Sequence, residues 1–322
     1  MKITYISWQP YCSRSDNTAR ELGGKSYTIY YDVFGSHYLT IIFKYFFQTI
    51  KTLQVLLKER PDVVFVMSPP LFACLPVFLY TKFFRKRYVI DAHTGAFKDN
   101  MWQRVMFLQR FFFRKAEFTI VTNDELSKIV SGWNADYVIV PDVPIKLHNP
   151  VMPELKNRLN ITLVNTFAKD EPLDAFLDAA GRMGDIQFFI TGKIKKSKSE
   201  LVESAPKNVT FTDFLSYPDY YGLLLKSTAI VVLTTRDLTM QRGAYEAIYL
   251  GKPVITSDWP ILRQNFAKGA VFTDNSAAGI KETIQKALST IKTLETEAEE
   301  LRQLKLERWE LNQKKILEAL KS

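Results

Sequence analysis

The segment 233-LTTRDLTMQRGAYEAIYLGKPVITSD-258 carries the pattern that decides the fold. An apolar strand over 229–234 leads into a polar loop, and a helix is predicted from Ala244 to Leu250. Gly251 follows as a helix-ending glycine, and residues 253–257 form the next apolar strand. A strand, a helix and a second strand in this order predict a parallel βαβ unit.

The same alternation of apolar runs and helical segments extends toward both ends of the chain. The run VVFV at 63–66 has no polar position, which is typical of strands in a parallel sheet that is covered on both faces. Further strands are predicted at 2–8, 26–33, 87–91, 118–122, 137–141, 161–165, 186–191, 209–211 and 270–272. Helices are predicted at 38–60, 100–115, 124–131, 173–184, 218–226, 276–289 and 293–320. We predict an α/β protein with two doubly wound halves that face a cleft.

Four prolines lie within thirteen residues, at 141, 144, 150 and 153, and this spacing predicts a linker between the halves. We therefore expect an N-terminal domain over residues 1–147 and a C-terminal domain over residues 155–300. Residues 301–322 are assigned to a C-terminal helix outside these two domains.

Composition excludes several classes of protein. The chain has 322 residues, of which 47% are hydrophobic and 24% charged, so it is not a disordered chain. Two cysteines exclude a disulfide-rich scaffold, and the three histidines have no helical pair for a metal. We expect no bound metal. The apolar run 63–81 is interrupted by Ser68-Pro69-Pro70 and Pro76, so we predict a strand, a turn and a helix rather than a membrane span.

Charge and aromatic residues concentrate in the first half. Residues 1–150 hold 19 basic and 12 acidic residues, and 15 of the 23 phenylalanines lie before residue 120. In the helix 38–60, Phe43, Phe46 and Phe47 lie among lysines, a pattern found in helices at an anionic membrane interface. The alternative is that the aromatic residues are core and the charges are solvated.

The loop and helix after the strand 229–234 suit a phosphate ligand. Gly243 lets a diphosphate approach the backbone, and Arg242 supplies charge and donors. Glu246, expected in the first helical turn, would repel phosphate and suits a hydroxylated group such as a ribose or a sugar ring. The alternative role of Glu246 is stabilisation of the helix N-terminus.

Residues 243–257, GAYEAIYLGKPVITS, resemble the donor-site motif of GT-B glycosyltransferases, close to family 4. The resemblance implies two Rossmann-like domains and a nucleotide-diphosphate sugar as donor. It also implies that Glu246 binds the ribose of the nucleotide. A second glutamate that is frequent in the family is replaced by Leu238, with Asp237 beside it. The donor sugar and the retaining or inverting outcome stay open.

The same resemblance assigns further donor contacts to three loops. Thr166 and Lys169 follow the first strand of the second half, where donor phosphate binds in similar enzymes. Asp170 there is alternatively the N-cap of the next helix. Gly192 and Lys193 follow the end of the next strand, 186–191, with the lysine directed to the diphosphate. The loop that holds Leu215 would contact the nucleotide base through backbone groups.

In the first half, the resemblance points to the ends of two strands. His93 would contact the donor sugar or its phosphate, with a hydrogen-bonded structural histidine as the alternative. Asp91 either orients the imidazole or serves as base, and Asp99 is a further catalytic candidate. The loop after the first strand would line the acceptor side, with the residues Trp8, Arg14 and Asp16. Asp16 is alternatively a cap of the next helix.

The sequence therefore predicts a hexosyltransferase that needs no cofactor and moves a sugar from a nucleotide sugar to a lipid-linked or glycan acceptor. We expect it in cell-surface glycan synthesis, cytoplasmic and peripheral to the inner face of the membrane, with no nucleic-acid partner. By analogy with similar enzymes, the C-terminal helix would pack on the first domain. The alternatives are a nucleotide-sugar epimerase of the same architecture and a non-catalytic protein that binds membranes or nucleic acid.

Overall fold

The computed structural model describes residues 1–321 apart from 11, 35–37, 99, 148, 156 and 195–198. The chain divides into two compact units. Unit 1 comprises Met1–Val143 and Arg308–Ser322, and unit 2 comprises Pro144–Glu307.

Unit 1 is built on a parallel sheet of six strands. The strands are β1 (Ile3–Ser7), β2 (Lys25–Thr28), β3 (Val63–Ser68), β4 (Arg87–Ala92), β5 (Thr119–Val121) and β6 (Tyr137–Ile139). The helices are α1 (Ser13–Glu21), α2 (Tyr38–Glu59), α3 (Cys74–Phe84), α4 (Thr94–Lys98), α5 (Asn100–Gln103), α6 (Met106–Lys115) and α7 (Asp124–Ser131). The strand order is β2-β1-β3-β4-β5-β6, and every residue of β3 is buried, as its apolar run predicts.

Unit 2 has the same architecture and is built on a second parallel sheet of six strands. The strands are β7 (Asn160–Leu163), β8 (Gln187–Thr191), β9 (Val209–Asp213), β10 (Ala229–Val232), β11 (Val254–Ser257) and β12 (Ala270–Thr273). The helices are α8 (Leu173–Gly181), α9 (Ser199–Glu203), α10 (Tyr217–Lys226), α11 (Arg242–Tyr249), α12 (Pro260–Asn265), α13 (Ala277–Ser289) and α14 (Ile291–Ala319). The strand order is β12-β11-β10-β7-β8-β9.

Apolar layers cover both faces of each sheet. In unit 1, side chains of α2, α3 and α6 pack on one face, and α1 and the end of α14 pack on the other. In unit 2, α8 and α13 pack on one face, and α10, α11, α12 and the first part of α14 pack on the other. Two doubly wound α/β units are thus confirmed.

Four local predictions need correction. The strand predicted over 26–33 ends at Thr28, and Val33 is 93% exposed in a 3₁₀ turn because the sheet edge ends earlier. The helix predicted over 100–115 is interrupted at residues 104–105. Helix α11 begins at Arg242, which places Glu246 in its second turn. Helix α8 has Pro172 at its N-cap, because Asp170 is bonded to another loop.

The segment 63–81 forms a strand, a short 3₁₀ turn and the start of α3, as predicted. Among the described residues, no helix has both the length and the apolar character needed to cross a bilayer.

Candidate functional site

The order of strands in unit 2 defines a switch point between β7 and β10. These two strands are neighbours, with Ile161 opposite Ala229, yet the chain visits β8 and β9 between them. The connections after β7 and β10 therefore leave the sheet in opposite directions. Ligands of open α/β sheets bind in the crevice that such a divergence leaves at the carboxyl ends of the strands.

The two loops at this switch point are bonded to each other. The backbone N–H of Thr235 donates to the carbonyl oxygen of Asp170 at 2.7 Å. The Thr234 hydroxyl donates to Oδ2 of Asp170 at 2.9 Å. Asp170 thus holds the loop after β10 against the loop after β7, a role that sequence spacing could not reveal.

Glu171 folds back over the loop that precedes α8. Its carboxylate accepts bonds from the N–H groups of Thr166 and Ala168 at 2.9 and 2.8 Å, and from the Thr166 hydroxyl at 2.9 Å. Burial raises the pKa of Glu171 above its ordinary value, although these bonds act in the opposite direction. Thr166, a predicted donor contact, therefore directs its N–H and hydroxyl to an internal carboxylate. No motif in the sequence marks Glu171 for this role.

Helix α11 begins beside this crevice and carries the residues expected to bind the nucleotide. Glu246 is 5% exposed. Its Oε2 accepts a bond from the Tyr220 hydroxyl at 2.8 Å, and its Oε1 accepts one from Arg242 Nε at 3.2 Å. The arrangement brings Arg242 and Glu246 together and adds Tyr220 from α10, which the sequence analysis did not identify.

Two glycines allow close backbone packing around the crevice. A Cβ on Gly243 would lie 2.8 Å from Cγ1 of Val164, so the start of α11 packs directly on the loop after β7. Gly192 has a φ of +105°, and a Cβ there would meet the carbonyl oxygen of Asn165 at 2.1 Å. Both positions require glycine for steric reasons.

The remaining predicted donor residues lie on loops of unit 2. Lys169 and Lys193 are exposed, and Leu215 is half-buried just before α10. Ser216 caps that helix, because its hydroxyl accepts a bond from the N–H of Asp219 at 3.5 Å. The donor contacts of these residues stay predictions.

A buried charged cluster lies at the carboxyl end of β4 in unit 1. Asp91 accepts a bond from the Tyr5 hydroxyl at 2.7 Å and pairs with Arg14 Nε at 3.2 Å. The guanidinium of Arg14 also donates to the carbonyl oxygens of Val140 and Pro141 at 3.0 and 3.3 Å. Burial opposes the charged form of Asp91, yet Arg14 holds the pKa of that carboxyl below its ordinary value. These bonds direct Arg14 into unit 1, and its expected contact with an acceptor stays a prediction.

His93 follows this cluster directly. Its backbone N–H donates to the carbonyl oxygen of Ser68 at 2.8 Å. Its Nε2 atom is buried and has no hydrogen-bond partner among the described residues. Burial lowers the pKa of His93 below its ordinary value and outweighs the attraction of Asp91. Burial thus favours the neutral imidazole, and its Nε2 is left without a hydrogen-bond partner within the described chain.

Two other predicted acceptor-side residues have structural contacts. Trp8 is buried, and its Nε1 donates to the Thr52 hydroxyl at 2.9 Å. Asp16 accepts a bond from the Ser26 hydroxyl. Asp99 lies outside the described residues.

The aromatic residues predicted to touch a membrane lie on the outer side of α2. Phe43, Phe46 and Phe47 are 60%, 58% and 44% exposed. Lys44, between them in sequence, points inward and lies 3.7 Å from the centre of the Tyr30 ring. The three phenylalanines are therefore not core residues.

Residues 158–290 match the family model described as Glycosyl transferases group 1. This segment contains β7 through α13, and hence the switch point and Glu246. A search of curated proteins with the sequence finds no match.

Solved structures are similar to nearly the whole chain. Sucrose-phosphate synthase from Thermosynechococcus elongatus is 14% identical with a TM-score of 0.69, covering 98% of this chain and 97% of that chain. HepE from Anabaena, solved with UDP and glucose, is 12% identical with a TM-score of 0.71, covering 100% and 99%. UDP-GlcNAc 2-epimerase from Neisseria meningitidis, bound to UDP-GlcNAc, is 13% identical with a TM-score of 0.60, covering 99% of each chain. The predicted GT-B fold, with two Rossmann-like units, is confirmed.

Proposed function

We propose that the chain is a glycosyltransferase, close to family 4, that transfers a hexosyl group from a nucleotide-diphosphate sugar to a membrane-associated acceptor. The observation that carries the proposal is the buried carboxylate of Glu246, held on both oxygens beside the switch point. It lies within the segment that matches group 1 glycosyl transferases. HepE, of the same fold, has been solved with UDP-glucose.

Glu246 is suited to bind the two ribose hydroxyls of the donor. A carboxylate accepts bonds from both hydroxyls, and charge-assisted bonds of this kind are short and strong. Because Tyr220 and Arg242 fix its orientation before the ligand arrives, little conformational entropy is lost on binding. Glu246 would therefore position the nucleotide.

The leaving diphosphate would be stabilised by the start of α11. The unsatisfied N–H groups of a helix N-terminus carry roughly half a positive charge. Arg242 at the same end adds a guanidinium, and Lys169 and Lys193 are exposed on neighbouring loops. These groups supply the stabilisation for which other enzymes use a metal ion, so we propose transfer without a metal or cofactor.

In unit 1, we assign His93 the binding of a sugar hydroxyl. The neutral imidazole can form one hydrogen bond through Nε2, the atom without a partner in the described chain. Asp91 is buried and already accepts bonds from Tyr5 and Arg14. We therefore assign Asp91 an electrostatic role in orienting this loop rather than the role of base.

The membrane-associated acceptor is proposed from the exposed aromatic side of α2. Aromatic rings on an interfacial helix insert at the boundary between headgroups and acyl chains. This contact would bring the enzyme to a polyprenyl-linked or other glycan acceptor at the inner face of the membrane, during cell-surface glycan synthesis.

Replacing Phe43, Phe46 and Phe47 by serine tests this membrane contact. We expect the variant to lose sedimentation with anionic vesicles because about 0.8 kcal/mol is lost for each CH₂-sized group withdrawn from lipid. The control replaces Leu304 and Leu311 by serine, since both are exposed on α14. A folded Phe variant that still sediments like the control would exclude this side of α2 as the contact.

The transfer reaction is tested with a panel of labelled nucleotide sugars, each with and without lipid extract. The proposal predicts that label from one donor enters the lipid phase only when extract is present. Formation of an epimeric nucleotide sugar without extract would identify an epimerase instead. Binding without any turnover of the panel would favour a non-catalytic role.

A further inference from the structure

A small basic cavity lies in unit 1 beside the start of β4. It has a volume of about 180 Å³, well above the roughly 10–15 Å³ that one water requires. Phe78 and Tyr88 form an aromatic part of its wall, with their ring centres 6.4 Å apart. Tyr88 donates its hydroxyl to the carbonyl oxygen of Phe112, so this wall is fixed.

The rest of the lining is strongly cationic. Lys82, Lys86, Arg87 and Lys115 face a single lining carboxylate, Glu117. Lys86 pairs with Asp62 at 2.8 Å, outside this cavity. Glu117 lies 4.0 Å from Arg87, which also donates to the carbonyl oxygen of Leu320.

Two of these cationic side chains, Lys82 and Lys115, could bind an anionic ligand. Lys82 lies in the last turn of α3 and Lys115 is the last residue of α6, and both are exposed. Within the described ranges of the chain, neither lysine forms an ion pair. Two ammonium groups over an aromatic wall are suited to a phosphate ester that carries an apolar substituent.

Exposed apolar residues lie on the two helices that contribute to the cavity, α3 and α6. On α3, Leu75, Leu79 and Phe83 recur at every fourth position and are exposed, which places them in one stripe. On α6, Phe107 and Phe111 are exposed, and the Phe111 ring lies 5.3 Å from that of Phe78. These helices lie on the same face of the sheet as α2.

We propose that this cavity binds the phosphate headgroup of an anionic phospholipid, while the exposed stripes of α3 and α6 enter the bilayer interface around it. The inference rests on the membrane-associated acceptor proposed above and names the lipid contact and the residues that make it. A bilayer fits better than a free anion because a free phosphate would leave the adjoining apolar stripes in water.

The direct test is calorimetric titration with short-chain phosphatidylglycerol below its micelle concentration. A monomeric lipid probes the cavity alone, because diffuse attraction to a charged surface is absent. We expect binding to the wild-type chain, and no binding of short-chain phosphatidylcholine. The double variant Lys82→Gln, Lys115→Gln should bind phosphatidylglycerol about a hundredfold more weakly, since each lysine contributes about one charge-assisted hydrogen bond.

The matched control is Lys51→Gln, Lys58→Gln, which removes the same charge from exposed positions on α2. It should bind the monomeric lipid like the wild type. Equal losses in both variants, or no binding to the wild type, would overturn the proposal. Titration of nucleotides in the same samples reports on unit 2, so a failed headgroup site is distinguished from a failed donor site.

Discussion

The charged residues at the end of β4 show how burial determines their chemistry. Asp91 is fully buried and remains a carboxylate because Arg14 and Tyr5 bond to it. Removal of one partner of a buried ion pair costs about 3–5 kcal/mol, because the other charge is left uncompensated. His93 lies next to this pair and is held neutral by burial. The cluster thus places the neutral imidazole of His93 near the charges of Asp91 and Arg14.

The lowered pKa of His93 predicts a pH dependence of stability. In the unfolded chain the imidazole binds a proton below about pH 6.5, whereas in the folded chain it does so only at lower pH. The unfolded state then binds more protons, so the free energy of unfolding falls as the pH drops below about 6.5. We expect His93 to lower the free energy of unfolding by up to about 1.4 kcal/mol per pH unit in this range. This contribution should be absent in His93→Gln.

Urea unfolding at about pH 7 and about pH 5 measures this difference for both chains, on either side of the ordinary histidine pKa. The stability of His93→Gln should change less over this interval. Equal changes in the free energy of unfolding of the wild type and of His93→Gln would mean that the pKa of His93 is not lowered in the folded chain. The carboxyl of Asp91 does not interfere, because its lowered pKa confines its loss of stability to pH below about 4.

Among the secondary-structure elements, the βαβ segment of β10, α11 and β11 positions the residues of the candidate site. Helix α11 approaches the loop after β7 closely because residue 243 has no side chain. This approach places the helix N-terminus and Arg242 next to the switch point. The positions of Arg242 and Glu246, the residues proposed to bind the donor, therefore depend on the packing of one helix end.

Gly243→Ala tests this dependence. The added methyl group would lie 2.8 Å from Val164, and relieving that overlap should destabilise the chain by about 1–3 kcal/mol. We also expect weaker nucleotide binding, because α11 must shift. Gly184→Ala is the control, since its Cβ would meet no atom within 4 Å. Nucleotide affinity and thermal stability equal to the control would show that α11 tolerates the methyl group.

Elements with a strong local pattern were predicted well from the sequence. The all-apolar run of β3 and the capping glycine Gly251 both appear as expected, the latter with a φ of +67°. The strand at 26–33 was predicted too long because its tyrosines and isoleucine favour strand locally, while the edge of the sheet ends at Thr28. Local propensity does not determine where a sheet stops.

The residues of the candidate site could be grouped from the sequence only where they are close along the chain. Arg242, Gly243 and Glu246 lie on one helix, so spacing was enough to group them. The contacts of Glu246 with Tyr220 and of Asp170 with Thr234 join residues 26 and 64 positions apart. Such pairs depend on strand order, which a single sequence does not specify.

On the scale of the whole molecule, helix α14 belongs to both units. Its first part packs in unit 2 through Ala298 and Leu301, and its last part packs in unit 1 through Trp309 and Ile316. The Trp309 Nε1 donates to Glu21 at 3.1 Å. Unit 1 is therefore completed by residues from the far end of the chain.

Trp309→Ala should destabilise unit 1 strongly. Loss of a buried tryptophan costs about 3–5 kcal/mol, and here the partner Glu21 also loses its donor. Leu311→Ala is the control, because Leu311 is exposed on the same helix. Chemical unfolding should show a large shift for the first variant only. If both variants unfold alike, the packing of α14 does not stabilise unit 1.

The most direct test of the central claim is calorimetric titration of the wild-type chain and Glu246→Gln with UDP, GDP, ADP and dTDP. We expect that one nucleotide binds the wild type and that the variant binds it about tenfold or more weakly, because a charge-assisted bond to ribose is lost. Glu282→Gln, at an exposed position of α13, should bind like the wild type. Unchanged affinity in the folded Glu246 variant, or no nucleotide binding by the wild type, would contradict the claim that unit 2 holds a donor nucleotide through Glu246.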